Sequence, residues 1–124
     1  MAILKRSHLP TDFIKEVRGR LTEEIALLGA EEKRLVAHDP FFVPGRDVGN
    51  AETMDETEEA LGHERVETEM AVVRQRLEET QAALAKIKSG RYGICEKCRG
   101  RIDRARLEIF PQARYCVECE EKEQ

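Results

Sequence analysis

Tryptophan is absent, and aromatic residues make up only 5% of the 124-residue chain. So few large rings argue against a deep globular core. Long apolar runs are also missing. No stretch approaches the roughly 18 apolar residues of a membrane helix. Residues 1–10 carry Lys5 and Arg6 with no apolar run after them, so no secretory signal is read there. The expectation is a cytoplasmic chain with no membrane attachment. An excess of positive charge is absent as well: the formal net charge is -4, so bulk attraction to nucleic acid is not indicated. No nucleophile–base pair or phosphate-binding glycine loop stands out, so no enzymatic activity is expected. What the chain does have is charge, at 37% of its residues, a level that suits long solvated helices.

That charge is unevenly placed. Residues 52–69 hold eight acids and one base, whereas residues 90–115 hold seven bases and three acids. Either both are solvated faces, or an acidic end and a basic end meet different parts of one partner.

Residues 1–10 read as a flexible lead that closes at Pro10. Thr11 or Asp12 can cap a helix running to about His38, where Asp39-Pro40 stops it, because proline lacks the N–H and disfavours helical geometry before it. Pro40, Pro44, Gly45 and Gly49 mark a loop. Thr53 with Glu56 fits a capping box opening a second helix, which runs to about Ser89 and ends at Gly90. Residues 39–62 form a tip longer than the usual helix–helix connection.

The second helix carries the clearest periodicity. Val66, Met70, Val73, Leu77, Thr80, Leu84 and Ile87 alternate at spacings of four and three, a heptad seam with one polar break at Thr80. The first helix offers Ile14, Val17, Leu21, Leu28 and Leu35, with Ile25 beside them. Glu24 and Glu31 fall where apolar residues are expected. Pairing Ile14 with Ile87, Val17 with Leu84, Leu21 with Thr80, Leu28 with Val73 and Leu35 with Val66 keeps the total of the two residue numbers constant. Antiparallel helices require that relation. The paired part would be roughly 35 Å long at about 1.5 Å per residue. The same register sets His38 opposite His63, read as a solvated polar layer rather than a metal site or pH switch. Phe41 and Phe42 would pack near Leu61 or offer an apolar contact to a partner.

Four cysteines form two pairs, Cys95-Glu96-Lys97-Cys98 and Cys116-Val117-Glu118-Cys119. Each short turn aims two thiolates at one point, and two such turns complete a tetrahedron of soft ligands. One structural zinc is the expected cofactor. Iron in the same cage, disulfides and free thiols are the alternatives. A four-cysteine site has no open position, so metal-assisted hydrolysis is not expected. Segment 91–119 has few core residues, and its order should depend on the metal.

Tyr92-Gly93-Ile94-Cys95-Glu96-Lys97-Cys98, Arg106-Leu107-Glu108, Pro111 and Ala113-Arg114-Tyr115-Cys116-Val117-Glu118-Cys119 together resemble the DksA/TraR family of C4-type zinc-finger proteins. The hairpin before the finger resembles the DksA-like branch in layout. The resemblance implies an all-α fold: an antiparallel coiled-coil hairpin over 11–90, a zinc finger over 91–119 and an acidic tail over 120–124. It also implies a regulator that binds bacterial RNA polymerase. The hairpin tip would enter the secondary channel and the finger would sit at its rim, with ppGpp as a partner of the complex and no sequence-specific DNA binding. The family's tip motif, Asp-x-x-Asp-x-Ala, aligns with Glu52-Thr53-Met54-Asp55-Glu56-Thr57. Glu52 replaces the first aspartate, Thr57 replaces the alanine, and Asp55 matches. Glu52, Asp55 and Thr57 are thus the implied partner-binding residues. Arg99 stands where the family commonly has glycine, with Gly100 one position later. Arg99, Arg101, Arg104, Arg106 and Arg114 make the finger basic, for a partner's acidic surface or DNA phosphate, or for local pairs with Asp103 and Glu108. A nucleic-acid-binding zinc module and a self-associating coiled coil are the competing readings.

Overall fold

Proline and glycine set the helix boundaries. In the computed structural model, which describes residues 7–41 and 56–123, α1 spans Thr11–His38 directly after Pro10 and stops before Pro40. The Pro10 carbonyl accepts the Ile14 N–H at 3.1 Å, and Asp12 places a negative charge in the first turn, where the helix dipole favours it. The second helix, α2, spans Glu56–Ser89. Gly90 ends it with φ at 77°. Its N–H donates to the Ile87 carbonyl at 3.2 Å, and the Arg91 N–H reaches back to Lys86 at 2.9 Å. This is a Schellman ending, which requires the left-handed residue that glycine supplies without strain. Lys86 and Lys88 in the last turn face the negative end of the dipole. Two short helices follow, α3 at Arg104–Ile109 and α4 at Val117–Glu123. The fold is all-α, and among the described residues no helix is long and apolar enough to cross a membrane.

The chain divides into two compact units. One joins the start of the chain through Ile25 to Glu78 and everything after it. Its core brings Leu9, Phe13, Val17 and Leu21 together with Ala83, Tyr92, Cys95, Ile102, Leu107, Ala113 and Cys119. Ile14, Leu84 and Ile87 pack against that core, as the antiparallel register requires. Phe13 is an addition to the expected stripe. It is buried, and the Arg104 guanidinium lies 4.6 Å from its ring centre. The stripe turns toward Phe13 because in this unit α1 meets finger residues as well as α2.

The other unit spans Ala26–Leu77. Leu35 and Met70 are buried, while Leu28, Val66 and Val73 are half-buried. Leu35 and Val66 line one cavity, in keeping with their assigned pairing. Arg74 on α2 donates to Glu32 on α1 at 3.2 Å. Gly62 leaves room for Pro40, whose Cγ would lie 2.8 Å from a Cβ at that position. His63 does not pair with His38. Its Nδ1 meets the Asp39 carboxylate at 2.8 Å and its Nε2 meets Glu67 at 2.9 Å, while His38 bonds the Arg34 carbonyl. Phe41 stacks on His63 with ring centres 4.4 Å apart and stays half-exposed. Phe42 lies outside the described residues.

Candidate metal centre

The first cysteine pair sits in a tight turn closed by an isolated bridge between Ile94 and Arg101. The Cys95 N–H donates to the Gly100 carbonyl at 2.8 Å, and the Arg99 N–H returns to Cys95 at 3.0 Å. Within that turn the Cys98 N–H points at the Cys95 sulfur (3.5 Å), and the Gly100 N–H at the Cys98 sulfur (3.3 Å). Such N–H groups delocalise the charge of metal-bound thiolates. Arg99 itself takes the left-handed conformation, with φ at 60°. The left-handed residue of this turn is thus Arg99, not Gly100 one position later. The part of Gly100 is close approach, because a Cβ there would stand 3.3 Å from the Cys98 sulfur.

The second pair uses a helix start. Cys116 precedes α4 and accepts the Glu120 N–H at 2.9 Å, which places Cys119 in the first turn. The Glu96 N–H donates to the Arg114 carbonyl at 2.9 Å and ties the two turns together. The Glu96 carboxylate binds Arg114 at 2.6 Å and Lys86 of α2 at 3.0 Å. Burial acts to raise this carboxyl, but the two cations outweigh it and hold it below the usual carboxylate range.

All four sulfurs lie within 4.8 Å of one another, and those of Cys98 and Cys116 are 3.8 Å apart. A tetrahedron with metal–sulfur bonds of about 2.3 Å has edges of about 3.8 Å. The donor set therefore fits a tetrahedral thiophilic ion. Burial acts to raise the Cys95 thiol, but N–H groups of Cys98, Cys116 and Lys97 outweigh it and hold it at about 6. Cys119 is pushed up to about 12, first by its hydrogen bond with the Cys116 sulfur and then by burial. One thiolate makes the next more costly unless a cation is shared between them.

Three of the finger's arginines face carboxylates. Arg104 pairs with Glu108 at 3.2 Å, Arg114 with Glu96, and Arg106 with Glu120 at 3.9 Å. Of the partners expected from the sequence, Glu108 is found, and Glu96 and Glu120 are additions. Arg20 of α1 donates to the Glu108 carbonyl at 3.1 Å. Arg99 and Arg101 are exposed. Of the three tip residues, Thr57 is exposed in the first turn of α2, while Glu52 and Asp55 lie outside the described residues.

Sequence reasoning missed Gln112. This buried side chain donates to the Thr80 hydroxyl at 3.2 Å and to the Glu24 carboxylate at 2.6 Å. The polar breaks at Thr80 and Glu24 were the available signal, because a buried polar residue needs a partner.

A helical pair joined to a four-cysteine finger defines the class: an all-α zinc-finger protein with one structural zinc. Comparison narrows it. Residues 90–124 match the family model of the prokaryotic dksA/traR C4-type zinc finger, so this segment is a finger of that family, as the residues suggested. An uncharacterized protein of Aquifex aeolicus is 48% identical over 46 residues, 37% of this chain and 32% of the relative. General stress protein 16O of Bacillus subtilis is 44% identical over 54 residues, 44% of this chain and 33% of the relative. The chain thus spans about a third of the length of these curated relatives. Among solved structures, transcription factor DksA2 of Pseudomonas aeruginosa matches at a TM-score of 0.72 and 18% identity, covering 94% of this chain and 86% of that one. The RNA polymerase binding protein and transcriptional regulator Dks of Chlamydia trachomatis matches at 0.51 and 24%, covering 92% and 90%. Both likenesses are of fold.

Proposed function

We propose that this protein is a bacterial transcription regulator of the DksA type that acts in the cytoplasm by binding RNA polymerase directly. The observation that carries this reading is the match of 94% of the chain to the fold of DksA2, together with a dksA/traR finger over residues 90–124. Cys95, Cys98, Cys116 and Cys119 hold one zinc ion, whose role is folding. The hairpin over 11–90 presents its tip, about 39–62, in the polymerase secondary channel, with Glu52, Asp55 and Thr57 as contacts. The finger over 91–119 rests at the channel rim, and ppGpp acts on the complex. The protein works by occupancy and charge and has no enzymatic step of its own.

Pairing within the finger favours this reading over a nucleic-acid module. Arg104, Arg106 and Arg114 are committed to carboxylates, which lowers the positive charge available for phosphate. The test is binding of the zinc-loaded protein to core RNA polymerase, with a channel-occupying competitor and an Asp55→Asn variant. Competable binding, with transcriptional effect lost in the variant, supports a channel regulator working through its tip. No binding at micromolar protein sinks the reading. Strongly salt-dependent binding to free DNA would replace it with the nucleic-acid module.

A further inference from the structure

We propose that Gln112 is a positioning residue that sets the register of α1 against α2. The proposal goes beyond the polymerase reading and does not depend on it. Thr80 and Gln112 are the buried polar side chains among the described residues, and they bond to each other. Glu24 joins the layer through the same Gln112 nitrogen, while the buried Gln112 side-chain oxygen has no partner among the described residues. One residue from each helix and one from the finger therefore meet at a single level. Thr80 is the one polar break in the seam of α2, and Glu24 is one of two, with Glu31, in the stripe of α1.

Apolar seams set register weakly, because a slide by one turn replaces one aliphatic side chain with another. Here the slide has a specific cost. Moving α1 by one turn toward its start sets Leu28 near the Gln112 amide in place of Glu24, and moving it the other way sets Leu21 there. Either shift leaves a buried amide N–H without its charged acceptor. A full heptad slide would bring Glu31 to Gln112 and satisfy it, but would also bring Arg20 to the buried place of Phe13. The polar layer excludes the one-turn slips and Phe13 excludes the heptad slip, so a single register survives. A buried polar group that fixes register in a coiled coil is the best-attested use of such groups.

The rival account is that the layer is incidental and leaves register to packing. Two sets of variants of the full, zinc-loaded chain separate the accounts, read by methyl NMR contacts within the core that joins Val17 and Leu21 to Ala83, Ile102 and Leu107. In the first, Glu24→Leu, Thr80→Val and Gln112→Leu together make the layer apolar. The expected result is a folded protein with a second set of methyl signals from a slipped register. A single set with wild-type contacts would overturn the proposal. In the second, Gln112→Glu alone sets two carboxylates against each other. The expected result is weakened core contacts and zinc release to a chelator faster by about tenfold, the scale of one charge-assisted hydrogen bond. Adding Glu24→Gln restores an amide–carboxylate pair in reversed order and should move both readouts back toward wild type, short of it by the cost of a charge at the more deeply buried position. Failure of that rescue would overturn the proposal even if the apolar variant did not fold.

Discussion

Thr80 is fully buried in the seam of α2, and its hydroxyl lies 3.2 Å from the side-chain nitrogen of Gln112, 32 residues further along the chain. A polar break inside an apolar stripe is normally a loss. Here it is matched, so removing the hydroxyl while keeping the shape exposes its worth. Thr80→Val should destabilise the zinc-loaded protein by about 1 kcal/mol, because Gln112 loses one acceptor yet keeps Glu24. Urea unfolding with unchanged denaturant dependence checks it. A variant as stable as the wild type would show that the bond contributes nothing net.

That pairing also shows where sequence reading stops. The ends of α1 and α2 were legible because Asp39-Pro40 and Gly90 act locally. The cysteine quartet was legible because ligand spacing is itself local. The antiparallel pairing was legible because heptads repeat. Gln112 was not legible, because its partners are distant in sequence and no period announces them. Phe13 fell outside the seam stripe because it meets finger residues, whose placement periodicity does not encode. The partner of His63 was not legible for a related reason. Facing position suggested His38, but the first residue beyond α1, Asp39, offers a carboxylate within reach.

Backbone conformation at the first cysteine turn yields a second prediction. Arg99 sits at φ 60°, a region that costs an L-residue about 1–2 kcal/mol. Arg99→Gly removes that strain but gives the unfolded chain more freedom, for a net gain of about 0.5–1 kcal/mol. Arg99→Ala keeps the strain and should leave stability near wild type, which separates the backbone effect from the side chain's. Gly93 provides the opposite case. Its φ is 87°, and a Cβ there would lie 2.8 Å from Leu9 Cδ1. Gly93→Ala should therefore cost more than about 1 kcal/mol. Melting temperatures of the three zinc-loaded variants check the order.

The pairing of His63 with Asp39 predicts a pH dependence confined to the Ala26–Leu77 unit. The Asp39 bond raises the His63 pKa above its ordinary 6.5, over the opposing effect of burial. Burial also acts to raise the Asp39 carboxyl, but the Phe41 N–H and the His63 ring outweigh it and hold it below 3.8. A raised histidine contributes stability that is complete below 6.5 and is lost as pH rises through the folded value. A depressed carboxyl contributes stability that is present above 3.8 and is lost as pH falls through its own folded value. The pair therefore holds best between about pH 4 and 6.5. NMR titration of the His63 ring should show its midpoint above 6.5, moving down in Asp39→Asn. A midpoint unmoved by that change would show that Asp39 does not set it.

Metal removal should be visible at a residue that is not a ligand. Tyr92 is buried in the finger's core, with its phenol donating to the Pro111 carbonyl at 2.8 Å. Burial pushes the phenol well above the ordinary value of 10. Tyr92 belongs to the same buried cluster as Cys95 and Cys119, so its environment depends on the four sulfurs being held together. Apolar area in the finger is small, and a structural zinc normally supplies what such a segment lacks. In a Tyr115→Phe background Tyr92 is the remaining tyrosine, so phenolate absorbance reports on it alone. With zinc bound, Tyr92 should ionise only as the protein unfolds at high pH. After chelation, or in Cys98→Ser, it should titrate near 10, with the zinc stoichiometry falling from about one to zero. A phenol that stays protected without metal would show that the finger's core orders itself, and that zinc adds stability to a segment already folded.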